Sequence, residues 1–188
     1  MMALKQSMRA LSNRVLPLLV MLLWGIPHAN AAEPVSIDNL QAAVQTLKFL
    51  DSLPKDGPIA IGVIYAPEVS NAQLLATETS KALSAMRGPN NRDIQTVVMT
   101  TDEVSHYAGH LDVVYLLVGV SNHSNVIVPA LHRLRAVSIS DDPACMVAAC
   151  CVLLVRSGQR VEITLNSALA GAAGARFSLV FMMVVKHT

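Results

Sequence analysis

The sequence predicts an α/β fold, a three-layer sandwich in which helices cover both faces of a mostly parallel sheet of about six strands. Three observations lead to this prediction. Helical and β-rich segments alternate along the chain, which is the order produced by successive βαβ units. The first strand segments are apolar throughout, as expected of strands that are buried on both faces. Ser157-Gly158 separates two later β-rich segments, which predicts a C-terminal β-hairpin.

The N-terminal segment has the composition of a cleavable secretory signal. Three basic residues, Lys5, Arg9 and Arg14, precede a twelve-residue apolar run at 15–26. The small residues of Ala29-Asn-Ala31 then match a signal cleavage site. The apolar run is shorter than the roughly 20 residues that span a membrane. We therefore predict cleavage after Ala31, export to the periplasm and no stable membrane insertion afterwards.

Residues 32–188 are expected to form a single domain. Removing residues 1–31 takes three of the 14 Lys and Arg residues and none of the 13 Asp and Glu residues, leaving a formal charge of −2. No run of basic residues remains. This charge balance argues against nucleic acid and anionic lipid as partners. The low charged fraction of 14% indicates either a deeply buried sheet or an apolar surface that meets a partner.

The predicted elements follow the chain in order. They are a helix at 37–50, a strand at 59–65, a helix at 70–86, a strand at 94–99, a short helix at 101–109, a strand at 113–118, a helix at 122–134, a strand at 136–140, hairpin strands at 150–156 and 159–165, a helix at 167–173 and a last apolar segment at 177–185. Local signals support the boundaries. Ser36 and Asn166 are suitable N-caps, and Gly174 is a suitable helix stop. Pro129 predicts a kink or a late start of its helix.

The chain has three cysteines, Cys145, Cys150 and Cys151. In an oxidising compartment, neighbouring thiols tend to pair. If Cys150 and Cys151 lie in a strand, their side chains point to opposite faces and only one can approach Cys145. The residue pattern favours a Cys145–Cys151 bridge, with Cys145–Cys150 and no bridge as the alternatives. The remaining thiol is then expected to be a small buried side chain.

The other polar residues give little reason to expect a metal site or a catalytic site. His106 and His110 have the spacing of one helical face, but zinc needs further ligands that the neighbouring sequence lacks. Asp141-Asp142 follows a predicted parallel strand, where open α/β sheets often bind ligands, although Asp142-Pro143 also fits a helix cap. No phosphate-binding loop or nucleophile elbow is present. We expect no catalytic residues, no metal and no cofactor, hence not an enzyme.

Several C-terminal motifs resemble the YfiR/HmsC family of small secreted α/β proteins. The resemblance covers 140–145, 151–156, 160–166 and the Phe-Ser-x-x-Phe-Met-Met motif at 177–183. It is fainter at 58–65. It implies a periplasmic regulatory protein that sequesters the periplasmic domain of a membrane-bound diguanylate cyclase, and so represses cyclic di-GMP signalling and biofilm formation.

The resemblance also implies particular residues. A disulfide in the hairpin region belongs to the family pattern, and Cys145 and Cys151 match its two positions. Cys150 is an additional thiol, and the family's earlier cysteine pair has no counterpart in this chain. Phe177, Phe181, Met182 and Met183 have the composition of an interface core, so they are candidates for the partner contact or for burial in the domain. A homodimer is compatible with the apolar composition.

A second function from a different class is a single-lobe periplasmic small-molecule-binding protein. The strand pattern suits such a lobe, and the Asp141-Asp142 end of the sheet could hold a ligand. The chain is too short for two lobes enclosing a cleft. A thiol–disulfide exchange protein is a weaker option, because the sequence contains no Cys-x-x-Cys motif.

Overall fold

The computed structural model describes residues 34–188. The predicted signal peptide and its cleavage site lie outside these residues. The helices are α1 (Ile37–Thr46), α2 (Ala72–Ala85), α3 (Glu103–His106), α4 (Ser124–Leu134), α5 (Pro143–Val147), α6 (Ser167–Ala172) and α7 (Leu179–Val184). The strands are β1 (Ile59–Tyr65), β2 (Ile94–Thr100), β3 (Val113–Leu116), β4 (Val137–Ser140), β5 (Leu153–Arg156), β6 (Glu162–Leu165) and β7 (Lys186–His187).

All of these strands form one sheet in the order β2-β1-β3-β4-β5-β6-β7. Strands β1 to β5 are parallel, β6 is antiparallel to β5, and β7 is parallel to β6. The predicted fold class is therefore confirmed, with seven strands rather than about six. The extra strand is the two-residue β7, which is too short to leave a recognisable pattern in the sequence.

Separate apolar cores lie on the two faces of the sheet. The core on one face includes side chains from α1, α2, α6 and α7, and the other includes side chains from α3, α4 and α5. Strand β1 is continuously apolar because Ile61 and Val63 belong to the first core while Ile64 belongs to the second. This division produces the three layers.

Helix caps and breakers act largely as predicted. Ser36 Oγ accepts from Asp38 N, and Asn166 Oδ1 accepts from Leu169 N. Gly174 follows α6 with a φ of +68°, the left-handed conformation that ends many helices. The α-helical part of α4 begins at Ser124, after a 3₁₀ turn at Val120–His123. Pro129 lies inside this helix.

Three predicted boundaries were wrong. Helix α2 begins at Ala72 rather than at Ser70, because Asn71 takes up a left-handed conformation with a φ of +63°. Helix α3 ends at His106 rather than near Gly109. The hairpin strands are joined by residues 157–161 rather than by a two-residue turn. Within residues 34–188, no helix has both the length and the apolar character needed to cross a membrane.

The parallel strands give the sheet two distinct edges. We call the edge at the start of β1 to β5 the amino edge, and the edge where these strands end the carboxyl edge. The order β2-β1-β3 places a topological switch point between β1 and β3. Ligands of open parallel sheets usually bind at the carboxyl edge beside such a point.

Candidate functional site

The predicted Cys145–Cys151 disulfide was wrong. Cys145 is bridged to Cys150, with their Cα atoms 5.2 Å apart, and Cys151 is a free, buried thiol. The physical reason is the short helix α5, after which Ala149 adopts a φ of +51° and Cys150 N donates to Cys145 O at 2.9 Å. This turn brings Cys150, rather than Cys151, back to Cys145.

Cys151 does not have the environment of a reactive thiol. Burial raises its pKa to about 12, and the nearby Asp142 carboxylate adds to the increase. Since the thiolate is the nucleophile, this side chain stays neutral and inert at neutral pH. It packs in the same core as the disulfide, as expected for a small apolar side chain.

Asp141 and Asp142 lie at the carboxyl edge, but both are engaged within the protein. Asp142 Oδ1 accepts from Ala144 N at 2.9 Å and caps α5, so the cap interpretation is confirmed. Asp141 Oδ2 accepts from Asn39 Nδ2 at 2.9 Å. Asn39 Oδ1 in turn accepts from the backbone and hydroxyl of Ser157, at 2.6 and 2.5 Å. These contacts connect α1, the end of β4 and the hairpin loop.

Tyr115 adds a buried hydroxyl beside this network. The residue is 2% exposed, and its hydroxyl forms no hydrogen bond with any residue of 34–188. Burial raises the pKa of Tyr115 far above its usual range, and the Asp141 carboxylate contributes further. The hydroxyl therefore stays protonated and cannot serve as a base.

The switch point itself is closed by the protein's own loops. Gly119, just after β3, has a φ of +88°, and a Cβ at this position would lie 2.5 Å from Val69 Cγ2. The absence of a side chain lets the β3–α4 loop approach the β1–α2 loop. A contact between His123 Nε2 and Glu68 Oε1 at 2.6 Å joins the same two loops. Two cavities of the described chain lie away from this point: one of about 470 Å³ at the start of the parallel strands, and one of about 530 Å³ lined by Arg156, residues 157–160 and Glu162 at the hairpin loop.

The His106/His110 spacing does not produce a shared helical face. His106 is the last residue of α3, and His110 follows in the loop before β3. His106 Nδ1 lies 2.9 Å from Ser105 Oγ, whereas His110 Nε2 lies 2.9 Å from Asp112 Oδ1. Across residues 34–188, no group of three or more His, Cys, Asp or Glu side chains could hold a metal ion.

A cavity of about 470 Å³ opens at the amino edge. This volume falls within the range of small-molecule sites, roughly 300–1,000 Å³. We call it the amino-edge cavity. It is lined by Leu50, Ser52, Leu53, Pro54, His110, Leu111, Asp112, Arg135, Val137 and the 171–174 segment. Its walls combine an apolar surface with three ionisable side chains, His110, Asp112 and Arg135.

Asp112 fixes the charged part of this cavity. Its side chain is only 4% exposed. Asp112 Oδ2 accepts from Ala60 N at 2.9 Å, and its backbone bonds to both Ala60 and Val137. Asp112 Oδ1 faces His110 Nε2. An ionised carboxylate can only accept hydrogen bonds, so Nε2 is the protonated nitrogen and Nδ1 is left for another partner.

Arg135 is the unusual residue of the cavity. It follows α4 with a φ of +52° and a ψ of +32°, the left-handed region in which Gly is normally found at a helix end. Its guanidinium has no hydrogen bond or ion pair with any side chain or carbonyl of the described chain. The second arginine near this helix end, Arg133, is fully used by the carbonyls of α3 and the residue after it.

The four candidate interface residues divide between core and surface. Phe181 is 1% exposed and stacks on both Phe49 and Phe177, so it belongs to the core. Phe177 and Met182 are partly buried against that core. Met183 is 84% exposed.

Helix α7 presents an apolar surface beyond the predicted residues. Leu179, Val180 and Val184 are 82%, 66% and 75% exposed, and they accompany Met183 on the outer side of this helix. We call these four residues the α7 surface. Large exposed apolar groups of this kind often mark interaction sites.

Sequence reasoning missed the amino-edge cavity. Asp112 precedes a buried strand, so its position at an edge could have been inferred, but sheet order was needed to place it beside Ala60 and Val137. No local pattern brings Arg135 close to the 171–174 segment. A second signal was an arginine shortly before a strand, at the place where a glycine would end the helix.

The comparisons with known proteins identify structures with a similar fold. No protein-family model matches the chain, and no curated protein does. A conserved domain protein from Vibrio cholerae is 13% identical, with a TM-score of 0.59 over 80% of this chain and 60% of its own. A ligand-free, open substrate-binding protein with adhesive properties from Clostridium difficile is 12% identical, with a TM-score of 0.57 over 82% of this chain and 60% of its own.

A third similar structure is an ABC domain in complex with L-Trp from Streptococcus pneumoniae. It is 12% identical, with a TM-score of 0.55 over 79% of this chain and 61% of its own. The present chain thus spans about three fifths of each of these structures. At these identities the likeness establishes a shared fold only, a fold that substrate-binding proteins also use.

Proposed function

We propose that this protein is a single-lobe small-molecule-binding protein, and that its solute occupies the amino-edge cavity. The observation that supports this proposal is the 470 Å³ cavity itself, whose walls combine apolar side chains with a buried Asp112 carboxylate that contacts His110. Ligand sites typically have this combination of apolar surface and a few oriented polar groups. The fold shared with substrate-binding proteins supports the proposal. The proposed role is binding rather than catalysis.

The switch point and the end of β4 are the less suitable positions for a solute in this chain. Asp141 and Asp142 are satisfied by Asn39 and by the start of α5. Gly119 and Val69 fill the space between the β1 and β3 loops. A ligand would have to displace these contacts, whereas the amino-edge cavity needs no rearrangement.

A thermal-shift screen tests solute binding. The panel contains compounds of matched size at millimolar concentration: an acid, its amide, an amine and a sugar. We expect at least one class to raise the melting temperature of the wild-type protein, because a ligand that binds only the folded state stabilises it. A flat response to the whole panel would reject this function.

Two glycine variants test whether the ligand that raises the melting temperature binds in the amino-edge cavity. Gly171 lines the cavity, and no atom lies within 4 Å of the position that a Cβ would take there, so Gly171→Phe adds bulk without a steric clash at its Cβ. Gly158 has equally open surroundings and lines the separate cavity at the hairpin loop. We expect Gly171→Phe to remove the thermal response and Gly158→Phe to keep it. Equal responses in both variants would place the ligand elsewhere.

A second candidate function is regulation through a protein partner, favoured by the α7 surface. Leu179 and Met183 are each more than four-fifths exposed, which is unusual for large apolar side chains without a partner. We propose, following the resemblance to the YfiR/HmsC family, that the partner would be the periplasmic domain of a membrane-bound diguanylate cyclase. In that role the protein would repress cyclic di-GMP synthesis.

Genetic deletion separates this candidate from the first. Deleting the gene should raise cyclic di-GMP and surface attachment, and removing the cognate cyclase as well should abolish the rise. A Leu179→Ser, Met183→Ser double variant should fail to complement the deletion. Val147→Ser, which changes a valine that is 89% exposed on α5, should complement it. Unchanged cyclic di-GMP in the deletion strain would exclude the regulatory role.

Export is part of both candidates. We propose a periplasmic location reached through cleavage after Ala31, on the basis of the basic and apolar residues that precede it. Intact-mass measurement of the protein from the periplasmic fraction should give Ala32 as the first residue. Full-length protein held in the inner membrane would contradict the proposal.

A further inference from the structure

We infer that the amino-edge cavity selects monocarboxylates with an apolar body, and that Arg135 binds the carboxylate. This inference rests on the proposed solute-binding function and specifies the chemical class of its ligand. It depends on three features: the balance of charge in the cavity, the backbone conformation of Arg135 and the apolar character of the remaining wall.

The charge balance leaves one positive group without a partner. Three ionisable side chains line the cavity, Asp112, His110 and Arg135. The Asp112 carboxylate receives hydrogen bonds from Ala60 N and from His110 Nε2. The guanidinium of Arg135, by contrast, forms no hydrogen bond or ion pair with any group of residues 34–188. Arg135 is exposed, so its guanidinium is available to an anionic ligand at the mouth of the cavity. A guanidinium matches the planar geometry of a carboxylate with two parallel hydrogen bonds.

The conformation of Arg135 indicates that its position serves more than the fold. A residue with a Cβ is disfavoured at a φ of +52°, and Gly would end α4 at lower cost. Strained backbone of this kind is concentrated at ligand sites. The strain places an otherwise unpaired guanidinium at the mouth of a cavity, where it can meet a solute.

The other residues that line the cavity restrict the net charge and the polarity of the ligand. Leu53 provides partly exposed apolar surface, with the nearly buried Leu50 and Leu111 behind it, which suits a small hydrocarbon or aromatic body. Asp112 adds a fixed negative charge, so a dianion such as inorganic phosphate is disfavoured relative to a monoanion. His110 Nδ1 is free to contact a second polar atom of the ligand.

The experiment compares an acid with its neutral amide. Isothermal titration calorimetry would use 3-phenylpropanoate and 3-phenylpropanamide with protein recovered from cells that express the full-length gene. We expect the acid to bind at least about tenfold more tightly, the difference typical of a charge-assisted hydrogen-bonded pair. Inorganic phosphate at the same concentration should not compete.

Three variants test whether Arg135 causes the preference for the acid over the amide. Arg135→Gln should reduce acid binding to the level of the amide and leave amide binding unchanged. Arg156→Gln removes an exposed arginine of β5 that lines the separate cavity at the hairpin loop, and it should keep the full preference. Arg135→Gly, which relieves the backbone strain, should also lose the preference while remaining folded, so loss of binding cannot be attributed to unfolding.

The possible results distinguish this inference from the function on which it rests. Equal affinity for acid and amide, competition by phosphate, or a preference that survives Arg135→Gln would overturn the carboxylate assignment alone. If the solute panel finds ligands and none is an acid, the assignment also fails while the binding function stands. If no compound of any class binds, the solute-binding function fails as well.

Discussion

The two edges of the sheet differ in how the protein fills them. At the carboxyl edge, loops from β1 and β3 meet where Gly119 lies against Val69, and the Glu68–His123 contact joins them. At the amino edge, Asp112 ties β3 to β1 and β4 through backbone and side-chain hydrogen bonds. Above that tie, the surrounding segments leave the 470 Å³ cavity.

The difference shows that the usual ligand position of a parallel sheet has to be checked against the loops and side chains of the particular protein. Parallel sheets usually bind ligands at the carboxyl edge because helix N-termini and loops converge there. At the switch point of this chain the convergence is complete enough that side chains occupy the space themselves. The amino edge remains open because residues 171–174 and the segment after α1 pass over it without covering it. An open cavity in this fold is therefore not confined to the carboxyl edge.

The largest expected effect is at the closed edge, in Gly119→Ala. The new methyl group would need both a φ of +88° and a position 2.5 Å from Val69 Cγ2. Backbone strain and overpacking each cost about 1–3 kcal/mol, so we expect a loss of roughly 3 kcal/mol in the free energy of unfolding. Urea denaturation of the two proteins measures it.

Gly57 provides a matched control. Its φ is +76°, but no atom lies within 4 Å of the position that a Cβ would take, so Gly57→Ala reports backbone strain alone, about 1 kcal/mol. Adding Val69→Ala to Gly119→Ala should recover part of the loss. If the two glycine substitutions cost the same, the loops do not press on one another, and the carboxyl edge has room for a ligand.

The second prediction concerns the segment that returns the chain from the carboxyl edge to the amino edge, between β4 and β5. Cys150→Ser removes the disulfide to Cys145. Closing so short a loop contributes roughly 2 kcal/mol in the chain-entropy model, so the free energy of unfolding should fall by about that amount. Denaturation with and without reductant provides the measurement.

Cys151→Ala distinguishes the bridge from simple packing. This thiol is free and buried, so its removal should cost only about 1 kcal/mol and should leave the reductant sensitivity intact. In the wild-type protein, peptide mapping should find the Cys145–Cys150 bridge and a Cys151 thiol that labels only after unfolding. A mapped Cys145–Cys151 bridge would restore the pairing predicted from the sequence.

The sequence predicted the sheet because burial on both faces leaves a continuous apolar pattern in β1 and β3. It predicted the caps at Ser36 and Asn166 because capping depends on neighbouring residues only. The disulfide was mispredicted because the choice between Cys150 and Cys151 depends on one turn, in which Ala149 has a positive φ. The extended geometry from which the pairing was predicted cannot represent that turn.

The candidate site was largely beyond sequence reasoning for a different reason. The cavity collects residues from segments that are more than a hundred positions apart, such as Leu50 and Gly174. Their proximity follows from the antiparallel contact between Leu50 and Phe177, which no local pattern specifies. At the C-terminal motif, composition marked residues 177–183, but only packing shows that Phe181 is core and Met183 is surface.

The third prediction is a gain in stability at the amino edge. Arg135→Gly removes the cost of a side chain at a φ of +52°, so the free energy of unfolding should rise by about 0.5–1 kcal/mol. Arg135→Ala keeps the unfavourable conformation and should show no such gain. Thermal and urea denaturation would compare the three proteins. A loss of stability in Arg135→Gly would mean that the guanidinium is held by the protein rather than reserved for a ligand.

The smallest expected effect is at the carboxyl edge, in the contact between Glu68 and His123. The hydrogen bond from His123 is the main reason that the pKa of Glu68 lies below its ordinary range. A lowered pKa means that the folded state favours the charged carboxylate. Its contribution to stability is therefore complete above the ordinary glutamate pKa of about 4.3 and is lost as the pH falls through the lowered value.

Glu68→Gln removes that charge while keeping an amide oxygen that can accept from His123. Because Glu68 is about half exposed, solvent screening limits the contribution to a few tenths of a kcal/mol. We expect the variant to be less stable than the wild type by this amount at about pH 6, and the difference to shrink as the pH falls through the lowered pKa of Glu68. Urea denaturation across this range measures it, with Glu78→Gln on the exposed side of α2 as the control. A difference that does not change with pH down to the acid unfolding of the protein would show that the loops are held by packing on Gly119 rather than by charge.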